Sequence, residues 1–192
     1  MVKSQISNEL EMITLIQKGD VSAKKHLYLH YSRYLTGVCA RYVIESDHIM
    51  EILQESFLKI FSSINSFKYR GEGSLKGWLS KIVVNESLKY LKSNYKFDTQ
   101  PLSPENEQIA EEEPDLEGIP LSELHRFIRE LPVGYRTILN LYVFEEKSHK
   151  EIAKELNIKE NSSASQFHRA KNLLASKIKK YHQNNISIAY ER

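Results

Sequence analysis

SHKEIAKELNIKENSSASQFHRAKNLLASKI, Ser148 to Ile178, reads as two helices joined by a tight turn, the second of them basic. Ser148 and Glu151 form an S-x-x-E capping box, in which hydroxyl and carboxylate each satisfy a backbone N–H at a helix start. Ile152, Ala153 and Leu156 then share one face, and Asn157, tolerant of the left-handed conformation, ends the helix after about two turns. Ile158 plugs the turn. The next helix repeats apolar residues at Ala164, Phe167, Ala170, Leu174, Ile178 and Tyr181, leaving Asn161, Ser162, Ser165, Gln166, His168, Arg169 and Lys171 on polar faces. Two helices with a turn of three to four residues match the helix-turn-helix, whose second helix enters the major groove of DNA. A bare helical hairpin, with the same apolar positions building a core and the charges solvating it, is the alternative that periodicity leaves open.

Working outward, the chain of 192 residues has room for one domain or two small ones, and its 41% hydrophobic content suffices for globular cores. The formal charge of +2 argues against a nucleic-acid partner when taken as an average. By segment it is +4 over residues 1–92, −7 over 93–120 and +5 over 121–192. Two basic blocks thus flank an acidic connector, and each keeps the footprint that phosphate binding requires. The single Cys39 can form no internal disulfide, which fits a reducing compartment, the cytoplasm by default. No run of signal-peptide or membrane-span length is present in the sequence.

The first block is helical by pattern. Ser7 is placed to cap a helix carrying Leu10, Ile13 and Ile16 and closed by Gly19, and Asp20 to cap the next. That second helix spaces Leu27, Tyr31, Tyr34, Val38 and Tyr42 as one buried stripe. A third follows Ser46 and Asp47, with Ile49, Leu53, Phe57, Ile60, Ile64 and Phe67 on its stripe. Lys68 to Gly73, KYRGEG, breaks it, and Ser74 is placed to cap a fourth helix through Leu75, Trp78, Leu79, Ile82, Leu88 and Leu91. No convincing alternating strand occurs. Residues 93–120 lose periodicity and carry Pro101, Pro104, Pro114, Pro120 and the run Glu111 to Glu113, the composition of a flexible linker. Fully extended it would reach roughly 90 Å. The last block starts near Leu121 and breaks at Pro132 before entering the helix-turn-helix. The expected fold is all-α: two small helical domains, residues 1–92 and 121–192, joined by an acidic flexible linker at 93–120, the C-terminal domain being the helix-turn-helix.

Phe67 to Phe97 interleaves Lys68, Arg70, Lys76, Lys81, Lys89 and Lys92 with Phe67, Tyr69, Trp78, Tyr90, Tyr95 and Phe97. Cations neutralise phosphates while aromatic faces receive unstacked bases, so the mixture suits single-stranded or opened DNA. Trp78 is better read as core, and Tyr69 and Arg70, beside two glycines, as the contact residues. Catalytic patterns are missing: no P-loop, no glycine-rich dinucleotide turn, no G-x-S-x-G and no H-E-x-x-H. His26 and His30 lie four apart on a helix, but no Asp, Glu or Cys is placed nearby in sequence to complete a metal site. Ser162, Ser163 and Ser165 beside His168 are explained by a polar helix face, and Cys39 by packing in an apolar helix. No cofactor, metal or catalytic residue is expected.

With both blocks read, the chain resembles the extracytoplasmic-function class of bacterial RNA polymerase sigma factors, of the sigma-70 family, over almost its full length. AKKHLYLHYSRYLTGVCARYV, from Ala23, resembles the family's opening helices. LQESFLKIFSSINSFKYRGEGSLKGWLSKIVVNESLKYLK, from Leu53, is similar to its region 2, which binds core polymerase and opens the promoter. LPVGYRTILNLYVFEEKSHKEIAKELNIKENSSASQFHRAKNLL, from Leu131, is similar to its region 4, which reads the upstream element. The resemblance implies that Gln54, Glu55, Phe57 and Leu58 face the polymerase clamp helices, with Glu51 as an additional partner for basic residues there. It implies that Tyr69, Arg70, Gly71, Gly73 and Ser74 shape a loop capturing a flipped base of the minus-ten element, while Lys81, Asn85, Lys89 and Lys92 face promoter DNA. It assigns Asn161, Ser162, Ala164, Ser165, His168 and Arg169 to the minus-thirty-five element and Lys171 to phosphates.

Core RNA polymerase and promoter DNA are the partners so implied, a membrane-bound anti-sigma factor stands open as a third, and no small-molecule substrate is. The chemistry of RNA synthesis would belong to the polymerase. A stand-alone DNA-binding regulator using only the last block, and a sigma-like decoy for an anti-sigma protein, are the competing readings. The chain departs from the family at Lys159, Asn161 and Ser163, where a small cap, a glycine and a β-branched apolar residue are frequent. Lys89 stands where an Asp is frequent. A lysine caps poorly, and Ser163 is not expected to anchor the helix as valine would.

Overall fold

The computed structural model describes residues 8–97 and 116–190, with side chains described as far as 183. All regular structure among the described residues is helical, and they fall into two compact units that divide between Ser93 and Asn94. Most of the acidic connector, and with it the expectation of flexibility, lies outside the described residues.

In the first unit, α1 (Glu9–Gln17) is capped by Asn8, whose Oδ1 accepts the Glu11 N–H at 2.9 Å. Asn8 therefore replaces the expected Ser7, which lies outside the described residues. Gly19 turns the chain with φ of 87°, and Asp20 caps α2 (Val21–Ala40) by accepting the Ala23 N–H at 3.0 Å, as its position in the sequence suggests. Leu27, Tyr31, Leu35, Val38 and Cys39 form the buried face of α2. Tyr34, expected on that stripe, is exposed instead. Its hydroxyl hydrogen-bonds Ser80 at 3.1 Å and its ring lies under the Lys76 ammonium. Successive helix residues differ by about 100°, and the wholly apolar Leu35 takes the inward place while tyrosine keeps its polar tip wet.

The helix α3 (Ser46–Ser63) packs on α2 and closes with a single 3-10 turn, Ile64–Ser66. After the KYRGEG segment, α4 (Ser74–Asn94) buries Leu75, Leu79, Val83, Val84, Leu88 and Leu91. Ser74 does not act as an N-cap. It is the first helical residue, and its hydroxyl is spent on the preceding loop, donating to the Gly71 carbonyl at 2.6 Å. Two polar contacts fix α4. The Glu86 carboxylate, 8% exposed, meets the Lys59 ammonium of α3, and the Ser87 hydroxyl donates to Cys39 Sγ at 3.4 Å. Burial pushes the Cys39 thiol pKa up, against the smaller lowering effect of the Ser87 bond.

In the second unit, α5 (Leu121–Arg129) ends before Pro132 and α6 (Val133–Val143) follows it. Arg136 of α6 is buried, and its Nη1 donates to the carbonyls of Arg129 at 2.9 Å and Leu131 at 3.1 Å. A buried guanidinium thus closes the C-terminal end of α5, whose last carbonyls have no helical partner. The helix α7 (His149–Leu156) begins with the complete Ser148–Glu151 capping box and ends at Asn157 in the left-handed conformation, φ 56°. Asn157, Ile158 and Lys159 make the turn, and α8 (Glu160–Tyr190) packs on α5, α6 and α7. Leu131, Tyr135, Leu139 and Ala170 form a core cluster flanked by Ile128, Phe167, Leu173 and Leu174. Ile138, Leu141 and Ile152 are fully buried, each such burial contributing about 1.5–3 kcal/mol.

Candidate nucleic-acid interface

The KYRGEG loop is held from several sides. Ser74 Oγ accepts the Arg70 N–H at 3.2 Å while donating to Gly71, so one hydroxyl bridges the turn. Gly71 and Gly73 adopt φ of 114° and 81°, values that disfavour any side chain. The Gly73 N–H donates to Glu9 Oε2 at 3.1 Å, and at the other end Gln17 Nε2 donates to the Ile64 carbonyl at 3.0 Å. Phe67 and Trp78 pack ring on ring, centroids 4.9 Å apart, and both are half-buried. Within this frame Tyr69 is half-buried and Arg70 exposed, which leaves a guanidinium and part of an aromatic face toward solvent.

Lys81, Asn85, Lys89 and Lys92 are all exposed on α4 at spacings of four, four and three, so they line one stripe about 17 Å long. Lysines in such a row match successive phosphates of a backbone better than a small ligand.

On α3, Glu51, Gln54, Glu55 and Leu58 are exposed and share one face, with Leu58 at 65% exposure. Exposed Met50 lies beside them. Phe57 does not belong to that face. It is buried, its ring 4.7 Å from Tyr28 and 6.0 Å from Phe61, so its expected contact with a partner is corrected to a supporting place beneath the surface. An aromatic ring one residue before Leu58 points about 100° away from it, into the unit's own core.

On α8 the sequence-assigned residues separate cleanly. Asn161, Ser165, His168 and Lys171 are exposed, while Ser162, Ala164 and Arg169 are half-buried. The Ser165 hydroxyl donates to the Ser162 carbonyl at 3.2 Å, and His168 Nδ1 lies 3.5 Å from the Asn172 amide. The Lys171 ammonium sits 5.6 Å from the Phe167 ring centroid. Gln166, expected on a polar face, is buried, and its Nε2 donates to the Phe97 carbonyl at 3.2 Å. Its backbone partner is 69 positions away, a distance over which sequence periodicity carries no signal.

Ser163 is fully buried and faces α7, where its Oγ lies 3.0 Å from His149 Nδ1. The His149 ring in turn stacks on Tyr142 at 4.8 Å and packs against Phe167 at 5.6 Å. The expected weakness of a serine anchor is therefore offset by a hydrogen bond to a ring that is itself wedged between two others. Lys159 precedes the first residue of α8, and its carbonyl accepts the Ser163 N–H at 3.1 Å.

His26 and His30 stack with centroids 6.1 Å apart, and among the described residues no group of three His, Cys, Asp or Glu side chains could hold a metal ion. No helix among them is long and apolar enough to cross a membrane.

Two family models match the chain in this order: sigma-70 region 2 over residues 27–97 and sigma-70 region 4 over residues 121–174. Among curated proteins, the ECF RNA polymerase sigma-E factor of Haemophilus influenzae is 30% identical over 186 residues, covering 87% of this chain and 93% of that one. The ECF RNA polymerase sigma-E factor of Escherichia coli is 26% identical over 189 residues, covering 92% and 97%. Among solved structures, CnrH in complex with the cytosolic domain of CnrY matches at 15% identity and a TM-score of 0.46, covering 88% of this chain and 96% of that one.

Proposed function

Because this chain belongs to the extracytoplasmic-function class of the sigma-70 family, a sigma factor that brings RNA polymerase to promoter DNA, we propose that it divides that task between its two units. The first unit binds core polymerase through Glu51, Gln54, Glu55 and Leu58, and meets the opened minus-ten element with Tyr69 and Arg70. Lys81, Asn85, Lys89 and Lys92 follow the backbone of that DNA. The second unit addresses the minus-thirty-five element with Asn161, Ser162, Ala164, Ser165, His168 and Arg169, and Lys171 neutralises phosphate.

The observation that carries this reading is the loop Lys68–Gly73, fastened by Glu9, Gln17 and Ser74 yet presenting Arg70 and part of Tyr69 to solvent. Pre-set donors and an aromatic face lose little freedom when an unstacked base arrives. The protein performs no bond chemistry under this reading, RNA synthesis belonging to the polymerase, and its place of action is the cytoplasm. An anti-sigma protein is a further partner under this reading.

Purified chain added to core polymerase should give salt-sensitive initiation at selected promoters. Failure to bind core polymerase would contradict the proposal.

A further inference from the structure

The short helix α1 contributes no residue to the surfaces assigned above, yet its two ends hold the two ends of the minus-ten loop. Glu9, in its first turn, accepts the Gly73 N–H with Oε2 at 3.1 Å and the Tyr31 hydroxyl with Oε1 at 2.9 Å. Gln17, its last residue, donates from Nε2 to the Ile64 carbonyl at 3.0 Å and the Phe67 carbonyl at 3.4 Å. Eight helical steps separate these two side chains, so the anchors stand about 12 Å apart along a rigid axis. Between them lie Lys68 to Glu72, a segment that contains Gly71 at φ of 114° and ends against Gly73 at 81°, with correspondingly many conformations when released.

We propose that α1 is a strap that sets the shape of this loop, with Glu9 the positioning residue: by joining Gly73 to Tyr31 it fixes the loop against α2 and presents Tyr69 and Arg70 in one arrangement. The inference rests on the reading of the loop as the single-strand contact. Glu9 touches no DNA itself. Its carboxylate suits the task because one group must accept from two donors on different elements, a backbone amide and a phenol. Gln17 suits the other end because a carboxamide N–H₂ donates to two carbonyls at once. Without the Glu9 bridge, the loop must be ordered by the arriving strand, and the ordering cost appears as lost affinity.

The test uses the full chain assembled with core polymerase and a pool of single-stranded DNA oligonucleotides randomised over a short window. Wild type should enrich a subset of the pool. Glu9→Ala should bind that subset about fivefold more weakly, the effect of one typical hydrogen bond. Affinity for core polymerase should stay unchanged, and backbone amides of residues 68–74 should exchange hydrogen faster than in wild type. Glu9→Gln should recover binding, since its carboxamide oxygen still accepts from Gly73 while its amide donates to the Tyr31 oxygen. Wild-type strand binding and exchange in Glu9→Ala would overturn the strap alone. So would a loss of core-polymerase affinity in proportion to the loss of strand binding, the mark of a merely structural role. A wild-type holoenzyme that enriches nothing would overturn the functional reading of the loop and the strap with it.

Discussion

His149 Nδ1 lies 3.0 Å from the Oγ of Ser163, joining the first residue of α7 to the first turn of α8 across the helix-turn-helix. Ser163 stands where the family resemblance leads to the expectation of an apolar anchor. It replaces non-directional packing by a hydrogen bond whose geometry depends on the Tyr142 and Phe167 rings that hold the imidazole.

Ser163→Ala should cost about 1 kcal/mol, the net worth of one such bond, because the imidazole nitrogen loses its partner in a half-buried site. Chemical denaturation of the full chain measures this. The transition assigned to the second unit should move, and that of the first unit should not.

The carboxylate of Glu151 is held below the usual range, chiefly by the hydrogen bond from the Ser148 hydroxyl and then by the Ser148 N–H. A lowered folded-state pKa means that this contribution is fully present above the unfolded value of about 4.3 and is lost as pH falls through the folded one. Glu151→Gln should therefore be less stable than wild type at pH 6, and the two denaturation curves should converge as the medium becomes more acidic than pH 4.

Cys39 should resist alkylation in the folded chain, because its thiol is fully buried against Ser87 and burial raises its pKa. Iodoacetamide labelling followed by mass spectrometry should show modification only after denaturant is added.

Arg169→Ala should lower affinity for the preferred minus-thirty-five duplex by about 1–3 kcal/mol and relax preference at one position, whereas Lys171→Ala should weaken all duplexes alike. Binding of the holoenzyme to a duplex library separates the two. Equal, sequence-independent losses would place both side chains on phosphates.

Local devices were legible in the sequence and long-range ones were not. The Ser148–Glu151 box, the Asp20 cap and the left-handed Asn157 each depend on residues within a few positions of one another, so their chemistry shows in the letters. The polar contacts of Glu9 with Gly73 and Gln166 with Phe97 join residues 64 and 69 positions apart, and no periodicity encodes them. Helix faces were legible only to within one residue. Tyr34 and Phe57 have neighbours, Leu35 and Leu58, of comparable apolarity, and which of each pair turns inward is decided by what the adjoining helix offers. The Tyr34 hydroxyl finds Ser80 at the surface, and the Phe57 ring is covered by that of Tyr28. Ser163 shows the same limit in another form: a serine amid a polar run looks solvated until the imidazole across the turn is seen.

The most direct measurement is initiation by core polymerase reconstituted with this chain, read by mapping transcript starts for wild type and for Leu58→Glu. Leu58 is 65% exposed, so the variant should fold. The account predicts discrete starts at selected promoters with wild type and at least about a tenfold loss of core binding and initiation with Leu58→Glu, the scale of a central interface residue. Starts indistinguishable from those of core polymerase alone with wild type, or undiminished initiation with the variant, would contradict it.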